Sequence, residues 1–214
     1  FAHPYDFYSL RYVFAGAEKL QEETKRMWSD KYGIRIFEGY GATETSPVLS
    51  MNTPMECKPG SVGRFVPSVE YHLEPVPGIE GGGRLYVKGS NIMQGYLKHD
   101  NPGVIQPPVE SMGEGWYDTG DIVTIDEDNF ITIQGRAKRF AKVAGEMLSL
   151  THLEEVITEL WEHNTSAILT RPDPKKGEAL VLITDNEITK KSKDKAKALC
   201  RQHILDKGLS SLYL

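Results

Sequence analysis

The sequence predicts an α/β unit, then a β-rich and mostly antiparallel region, and finally the start of an α+β domain. Three observations favour this fold class. Residues 10–14 and 34–37 have the composition of strands and flank an amphipathic stretch with helical spacing. Residues 60–135 contain short β-rich runs broken by glycine and proline. Helical periodicity returns after residue 150.

These changes in residue pattern along the chain also predict the domain boundaries. We interpret residues 1–136 as the C-terminal part of a large domain, with an α/β unit over 1–50 and a β-rich subdomain over 51–136. Residues 137–214 are interpreted as a hinge and a truncated small α+β domain. The chain begins at Phe1 and ends after a helix, so we expect it to be a fragment of a longer protein.

Composition limits the function classes. The chain has 214 residues, 39% hydrophobic content and a net charge of −5, which is typical of a globular protein. Because no basic stripe alternates with aromatic residues, we predict no nucleic-acid partner. No apolar run is long enough to span a bilayer, and Cys57 and Cys200 form no metal or redox motif. We therefore predict the cytoplasmic side as the location.

The N-terminal unit places two loops at one edge. A strand at 10–14 leads through Gly16 to a helix predicted over 18–32, which Gly33 ends, and the strand at 34–37 follows. In a strand–helix–strand unit both strands are parallel, so the loops after them share one edge. That edge is where ligands bind in open α/β sheets.

The second of these loops has residue types suited to a nucleotide. Residues 39–45 (GYGATET) are predicted to form a tight loop, in which glycines let backbone N–H groups approach phosphates. Tyr40 offers a flat face to a base, Thr43 a hydroxyl donor, and Glu44 a carboxylate for Mg²⁺. A glycine-rich turn with its polar side chains in water explains the same heptad equally well.

Two later clusters have comparable alternatives. Asp121 follows a Thr-Gly turn in residues 115–121 and is predicted to begin a strand, where its oxygens can accept both ribose hydroxyls. The alternative is a turn-forming aspartate. The basic connector at 135–142 is a candidate hinge, and the alternative is an ordinary charged linker.

The remaining elements are predicted from short patterns. Thr151 is predicted to cap a helix, with Glu154 closing a capping box. A strand near 179–184 and a lysine-rich helix near 189–207 follow. In the β-rich region, strands are predicted at 61–66, 69–74, 84–88, 121–125 and 130–134, with a surface loop at 101–114.

Taken in order, the clusters resemble motifs of the adenylate-forming superfamily, which includes acyl-CoA synthetases and luciferases. Residues 39–44 are similar to its Tyr-Gly-x-Thr-Glu motif, and residues 117–121 (YDTGD) to its Tyr-(Arg/Lys)-Thr-Gly-Asp motif. Residues 83–97 resemble its Gly-Glu-Leu…Gly-Tyr segment, with Arg84 in place of the glutamate, and residues 135–138 resemble its hinge. The resemblance spans nearly the whole chain.

A closer resemblance is to the acyl-ACP synthetase part of bacterial bifunctional 2-acylglycerophosphoethanolamine acyltransferase/acyl-ACP synthetases. It rests on residues 77–80, 88–93, 101–104, 135–142 and 144–147. It implies that a fatty acid and ATP form acyl-AMP, whose acyl group then passes to the phosphopantetheine thiol of acyl carrier protein. For the full-length relative it implies association with the bacterial inner membrane.

The resemblance also implies residue roles. Thr43, as the α-phosphate donor, and Lys138, as the hinge, are the implied catalytic residues, and Glu44 is the implied Mg²⁺ ligand. Gly16, Ala17 and Glu18 are implied to line the adenine pocket, Tyr40 to stack on the base, Asp121 and Arg136 to hold the ribose, and Gly145 to border the pantetheine channel. The implied ATP and AMP contacts are Gly16, Ala17, Glu18, Gly39, Tyr40, Gly41, Thr43, Asp121, Arg136 and Gly145.

The family's phosphate-binding loop and its C-terminal lysine are expected outside residues 1–214, so we expect that the chain alone does not adenylate an acid.

Three alternative functions were considered. An acyl-CoA synthetase fits the same residues, as does an AMP-binding module without catalysis. A serine hydrolase or metal enzyme has little support, because the sequence contains no Gly-x-Ser-x-Gly and its histidines lack ligand spacing.

Overall fold

The computed structural model describes residues 2–108, 112–161, 164–187 and 192–209. The chain divides into two compact units. The first unit comprises Phe1–Pro75 and Ile79–Gln134, and the second comprises Val76–Gly78 and Gly135–Leu214. Each is described by itself.

The first unit contains one α-helix, two short 3₁₀ helices and nine complete strands in its described residues. The helix is α1 (Glu22–Tyr32), and the 3₁₀ helices cover Pro4–Phe7 and Thr43–Thr45. The strands are β1 (Val13–Ala15), β2 (Ile36–Gly41), β3 (Val48–Met51), β4 (Arg64–Phe65), β5 (Glu70–Pro75), β6 (Gly82–Lys88), β7 (Tyr96–Leu97), β8 (Ile105–Gln106) and β9 (Trp116–Ile125). Strand β10 (Ile131–Arg136) runs from this unit into the second.

The predicted parallel strand–helix–strand unit is confirmed. Strands β1 and β2 pair in parallel, with Val13 opposite Ile36, and α1 connects them. Gly33 ends α1 in the left-handed conformation, at φ 66°, where a residue without Cβ is favoured. A salt bridge of 2.5 Å joins Lys25 Nζ on α1 to Glu38 Oε2 on β2, and both side chains are largely shielded from solvent. It fixes the helix against the strand that leads to residues 39–45.

Two sheets form the rest of the first unit, in the order β1-β2-β3-β4 and β10-β9-β6-β5. Strand β6 is antiparallel to both β5 and β9, as predicted for the β-rich region. Backbone hydrogen bonds Val62 N–Ile131 O (2.8 Å) and Ile131 N–Gly63 O (2.9 Å) join the two sheets. Six buried residues form the core of this unit: Leu49, Leu85, Val87, Tyr117, Val123 and Ile131.

Three predictions about local structure in this unit were wrong. Strand β2 continues through Gly41, so only the second half of residues 39–45 is a turn. Asp121 lies in the middle of β9 instead of at its start. The predicted loop at 101–114 contains β8, which pairs with β7. Pairing with β3, β6 and β7 extended these strands beyond what the local pattern indicated.

In its described residues, the second unit packs two helices on one antiparallel sheet. The helices are α2 (Leu150–Leu160) and α3 (Lys193–Asp206), and a 3₁₀ turn covers Ala137–Arg139. Strands β11 (Phe140–Val143), β12 (Glu146–Ser149), β13 (Ser166–Asp173) and β14 (Gly177–Thr184) form a sheet in the order β12-β11-β14-β13. Buried apolar residues of both helices and the sheet make one core.

The capping prediction in this unit was wrong by two residues. Ser149 caps α2, and its side chain accepts from the backbone N–H of His152. Glu154 does not close a capping box. It accepts instead from the backbone N–H of Ile168 on β13, at 2.7 Å. The first part of the predicted lysine-rich helix, at 188–191, lies outside the described residues.

Candidate functional site

The loops after β1 and β2 lie side by side, as the parallel pairing requires. A Cβ atom added to Gly16 would lie 3.1 Å from the carbonyl oxygen of Gly39. Ala17 has a positive φ of 73°, an uncommon conformation for a residue with a side chain. Residues 16–18 are exposed, so they are accessible to a ligand at this edge.

The glycines of residues 39–41 are required by strand packing. A Cβ on Gly41 would lie 1.8 Å from the carbonyl oxygen of Pro47, and a Cβ on Gly39 would lie 3.1 Å from that of Ser50. Pro47, which precedes β3, therefore excludes a side chain at Gly41, whereas a side chain at Gly39 would make a tight contact with Ser50 on β3. This requirement holds without a ligand, so these glycines by themselves do not indicate a phosphate site.

The turn after β2 is held by a buried threonine. Thr45 Oγ1 accepts from the backbone N–H of Ala42 at 2.9 Å and lies 2.9 Å from the carbonyl oxygens of Ala42 and Pro47. These bonds leave Thr43 exposed and Glu44 half-buried on the same turn. The two predicted ligand-binding side chains are thus presented by a turn with its own internal support.

A second loop clamps this turn from outside. The Asn91 amide donates to the carbonyl oxygens of Thr45 (3.0 Å) and Val48 (2.9 Å). The N–H of Met93 donates to the carbonyl oxygen of Glu44 at 2.9 Å. The Tyr96 hydroxyl donates to Glu44 Oε1 at 3.1 Å. Burial and this carboxylate raise the pKa of Tyr96, so its hydroxyl stays a donor at neutral pH.

Asp121 lies in an irregular part of β9. Leu85 on β6 faces residues 119–121, because the pairing shifts between Arg84–Ile122 and Tyr86–Asp118. Gly120 has a φ of 69°, a conformation that glycine adopts at little cost in β-bulges. The Thr119 hydroxyl donates to the Leu85 carbonyl oxygen at 2.9 Å and accepts from the Asp121 N–H at 3.1 Å.

This bulge brings two of the predicted site residues together. The Tyr40 hydroxyl donates to Asp121 Oδ2 at 2.5 Å, across 81 residues of sequence. Asp121 is only 3% exposed, and a charged hydrogen bond of this length is among the stronger kinds. Its carboxylate is therefore held in one orientation beside the β1–β2 edge.

The remaining predicted residues lie in the second unit. Arg136 ends β10 and Lys138 lies in the 3₁₀ turn, and both are exposed. Next to them, Arg139 forms an ion pair with Glu154 (Nη2–Oε2, 2.5 Å) and donates to the Ile168 carbonyl oxygen. Arg139 is therefore fixed to this unit. Gly145 forms the exposed turn between β11 and β12, at φ 93°.

Among the described residues, no group of three or more histidines, cysteines, aspartates and glutamates could hold a metal ion. No helix in the same part of the chain is long and apolar enough to cross a membrane. Glu44 would bind a metal only together with oxygens from another source. Mg²⁺ sites of this composition use nucleotide phosphates for that purpose.

Comparison with known proteins agrees with the predicted superfamily. Residues 1–97 match the family model described as AMP-binding enzyme. The match covers 97 of the chain's 214 residues.

Similar proteins extend this result over the rest of the chain. A long-chain-fatty-acid–CoA ligase of Yersinia pestis is 31% identical over 205 residues, which cover 93% of this chain and 35% of the relative. A 4-coumarate-CoA ligase of Narcissus pseudonarcissus is 32% identical over 206 residues, or 87% of this chain and 37% of the relative. The chain thus spans just over a third of the length of these relatives.

The fold agrees with solved ligase structures. The ATP-bound RpMatB-BxBclM chimera B3 superposes with a TM-score of 0.71 at 25% identity, covering 99% of this chain and 42% of the chimera. The predicted fold class, the C-terminal part of an adenylate-forming ligase with mixed parallel and antiparallel sheets, is confirmed.

Sequence reasoning predicted the candidate site residues but not the residues that support them. Asn91, Tyr96 and Thr45 were not predicted as site residues. Asn91 is a short amide in a glycine-containing loop, a composition typical of side chains that bond to backbone. This composition is the feature by which the sequence could have indicated Asn91.

The clamp generates the first prediction. We expect Asn91→Ala to lower the free energy of unfolding by about 1–3 kcal/mol, because two half-buried carbonyl oxygens lose their donor. Chemical denaturation would measure the change. Asn101→Ala, at an exposed loop position, is the control and should change stability by less than about 0.5 kcal/mol. Equal stability of the two variants would contradict a clamp at Asn91.

Proposed function

We propose that this chain supplies the adenosine-binding part of an ATP-dependent acid–thiol ligase that forms an acyl-AMP intermediate. The observation that carries the proposal is the Tyr40–Asp121 hydrogen bond. It places the carboxylate of the second motif beside the loops of the first, at the edge where a parallel sheet binds ligands.

The proposed adenosine site combines both motifs. Asp121 has two carboxylate oxygens, and Tyr40 occupies Oδ2. A pair of ribose hydroxyls would share this carboxylate as donors. Gly16, Ala17 and Glu18 would border the base, with Tyr40 stacked on it. Arg136 would add a donor to the ribose.

The proposed phosphate and metal contacts lie on the clamped turn. Thr43 would donate its exposed hydroxyl to the α-phosphate. Glu44 would share Mg²⁺ with phosphate oxygens, and the Tyr96 hydroxyl would hold that carboxylate in position. When bound, Mg²⁺ offsets the charge on the phosphates as the acid attacks in line.

The second unit would provide the other half of a two-step reaction. Arg139 is fixed to Glu154 and β13, so movement between the units would be confined to the residues before it, including Lys138. We propose Lys138 as the hinge and 136/137 as the domain boundary. Gly145 would then border the channel for the thiol.

The acid substrate and the thiol acceptor are proposed from the similarity of the chain to other proteins. The Yersinia pestis relative is named a long-chain-fatty-acid–CoA ligase, which favours a fatty acid as substrate and coenzyme A as acceptor. The closer sequence resemblance favours acyl carrier protein as acceptor, with a separate acyltransferase and membrane association in the full-length protein. A non-catalytic AMP-binding module is the alternative from another class.

Nucleotide binding tests the proposal on this chain. We expect weak AMP binding by isothermal titration calorimetry, and at least tenfold weaker binding by Asp121→Asn, because the ribose loses a charged acceptor. Asp128→Asn changes the same residue type at an exposed loop position and should bind AMP as the unmodified chain does. Equal affinities of all three proteins would contradict a ribose contact at Asp121.

The acceptor is decided in a protein that carries this segment within a complete ligase. Labelled long-chain fatty acid, ATP and Mg²⁺ would be incubated with coenzyme A or with holo-acyl carrier protein. We expect label on one thiol and none with Asp121→Ala. Label on coenzyme A alone excludes the carrier-protein assignment, and label on neither favours the non-catalytic module.

A further inference from the structure

An ion pair spans the bulge that contains Asp121. Arg84 on β6 donates through Nε to Asp118 Oδ1 at 3.0 Å, and its Nη2 bonds to Asp118 Oδ2. The pairing is therefore bidentate, which fixes direction as well as distance. The side chains are 38% and 23% exposed. The hydrogen bonds to Asp118 raise the pKa of Arg84, so its guanidinium stays charged.

The two partners flank the irregular pairing between β6 and β9. Arg84 pairs with Ile122, and Asp118 pairs with Tyr86. Leu85 alone lies between Arg84 and Tyr86, whereas three residues lie between Asp118 and Ile122. The ion pair thus runs diagonally across the bulge. Asp118 precedes the bulge on β9, and Arg84 on β6 lies opposite Ile122, which follows the bulge.

Asp118 also stabilises the bulge through a hydrogen bond to the backbone of a bulge residue. Its Oδ1 accepts from the backbone N–H of Gly120 at 2.9 Å, while Thr119 bonds to Leu85 and to the N–H of Asp121. Within the bulge, Thr119 is thus tied to β6, Gly120 to Asp118, and Asp121 to Thr119. The direction of the Asp121 carboxylate toward Tyr40 follows from these ties.

We propose that Arg84 and Asp118 are positioning residues for Asp121: their ion pair sets the bulge that aims the Asp121 carboxylate at Tyr40 and the nucleotide. The effect on nucleotide binding rests on the proposed function; the effect on Tyr40 does not. Relative to the motifs that the sequence resembles, an acid and a base have exchanged places at 84 and 118. The two departures are explained together, as one pair with its charges reversed.

Charge reversal tests this proposal on the whole chain. Asp118→Arg sets two guanidinium groups against each other, and adding Arg84→Glu restores an opposite pair. One readout is the set of Tyr40 ring resonances in tyrosine-labelled protein, which report the Tyr40–Asp121 contact without a ligand. The other is AMP affinity. Lys58→Glu removes a different ion pair of the same unit, Lys58–Asp126, and serves as the control.

We expect Asp118→Arg to shift the Tyr40 resonances and to weaken AMP binding about tenfold. The double variant should return both toward those of the unmodified chain, and Lys58→Glu should change neither. Glu74 lies opposite Arg84, and arginine at 118 cannot accept from the Gly120 N–H as Asp118 does. We therefore expect the rescue of affinity to be within about threefold rather than complete.

Other outcomes decide against the proposal or separate it from the proposed function. Unchanged Tyr40 resonances in folded Asp118→Arg would overturn it, as would a folded double variant without rescue. If Asp118→Arg does not fold, Asp118→Asn is the substitute and should shift the same resonances in the same direction. If the unmodified chain binds no AMP, the proposed function fails, and the Tyr40 resonances still decide the positioning role.

Discussion

The hydrogen bond from the Tyr40 hydroxyl to Asp121 is the contact on which the candidate site depends. It joins β2, in the sheet that contains the parallel pair β1–β2, to β9, in the antiparallel sheet. The two residues are 81 positions apart in the sequence. A buried carboxylate without a partner would be costly, so this bond explains both why Asp121 can be buried and where it points. The shared core and the backbone bonds between residues 62–63 and 131 keep the two strands close enough to form it.

Most of the support around that contact comes from close backbone packing at glycines and from hydrogen bonds to backbone groups. Glycines at 39 and 41 let β3 approach β2, and Gly120 lets β9 bulge opposite Leu85. Asn91 and Thr45 then bond to carbonyl and N–H groups of the turn that carries Thr43 and Glu44. The side chains proposed to bind ligand thus lie on a hydrogen-bonded framework, which is the condition for a preorganised site.

The sequence predicted the features that depend on local pattern. Strand–helix–strand order, Gly33 as the helix end and the shared edge of two loops all follow from spacing and composition, and the structure contains them. The motif residues Tyr40 and Asp121, which were predicted to serve one site, are in contact in the structure. Their roles toward a nucleotide remain predictions, as does the Lys138 hinge.

The features that the sequence did not predict depend on partners far away in the chain. Strand β9 extends through residues 118–120 because β6 pairs with it, although Thr119-Gly120 has the local composition of a turn. Glu154 was assigned to its own helix, but it accepts from the N–H of Ile168 on β13 and pairs with Arg139. The Arg84–Asp118 pair is also invisible locally, since neither residue indicates the other across 34 positions.

The central claim is that adenosine binds where the β1 and β2 loops meet the bulge of β9. Backbone amide chemical shifts of the 214-residue chain, recorded as AMP is added, test it most directly. The account predicts the largest shift changes at residues 16–18, 39–45 and 119–121, with little change at 126–129 or in α3. Changes confined to other residues, or no change at saturating AMP, would contradict it.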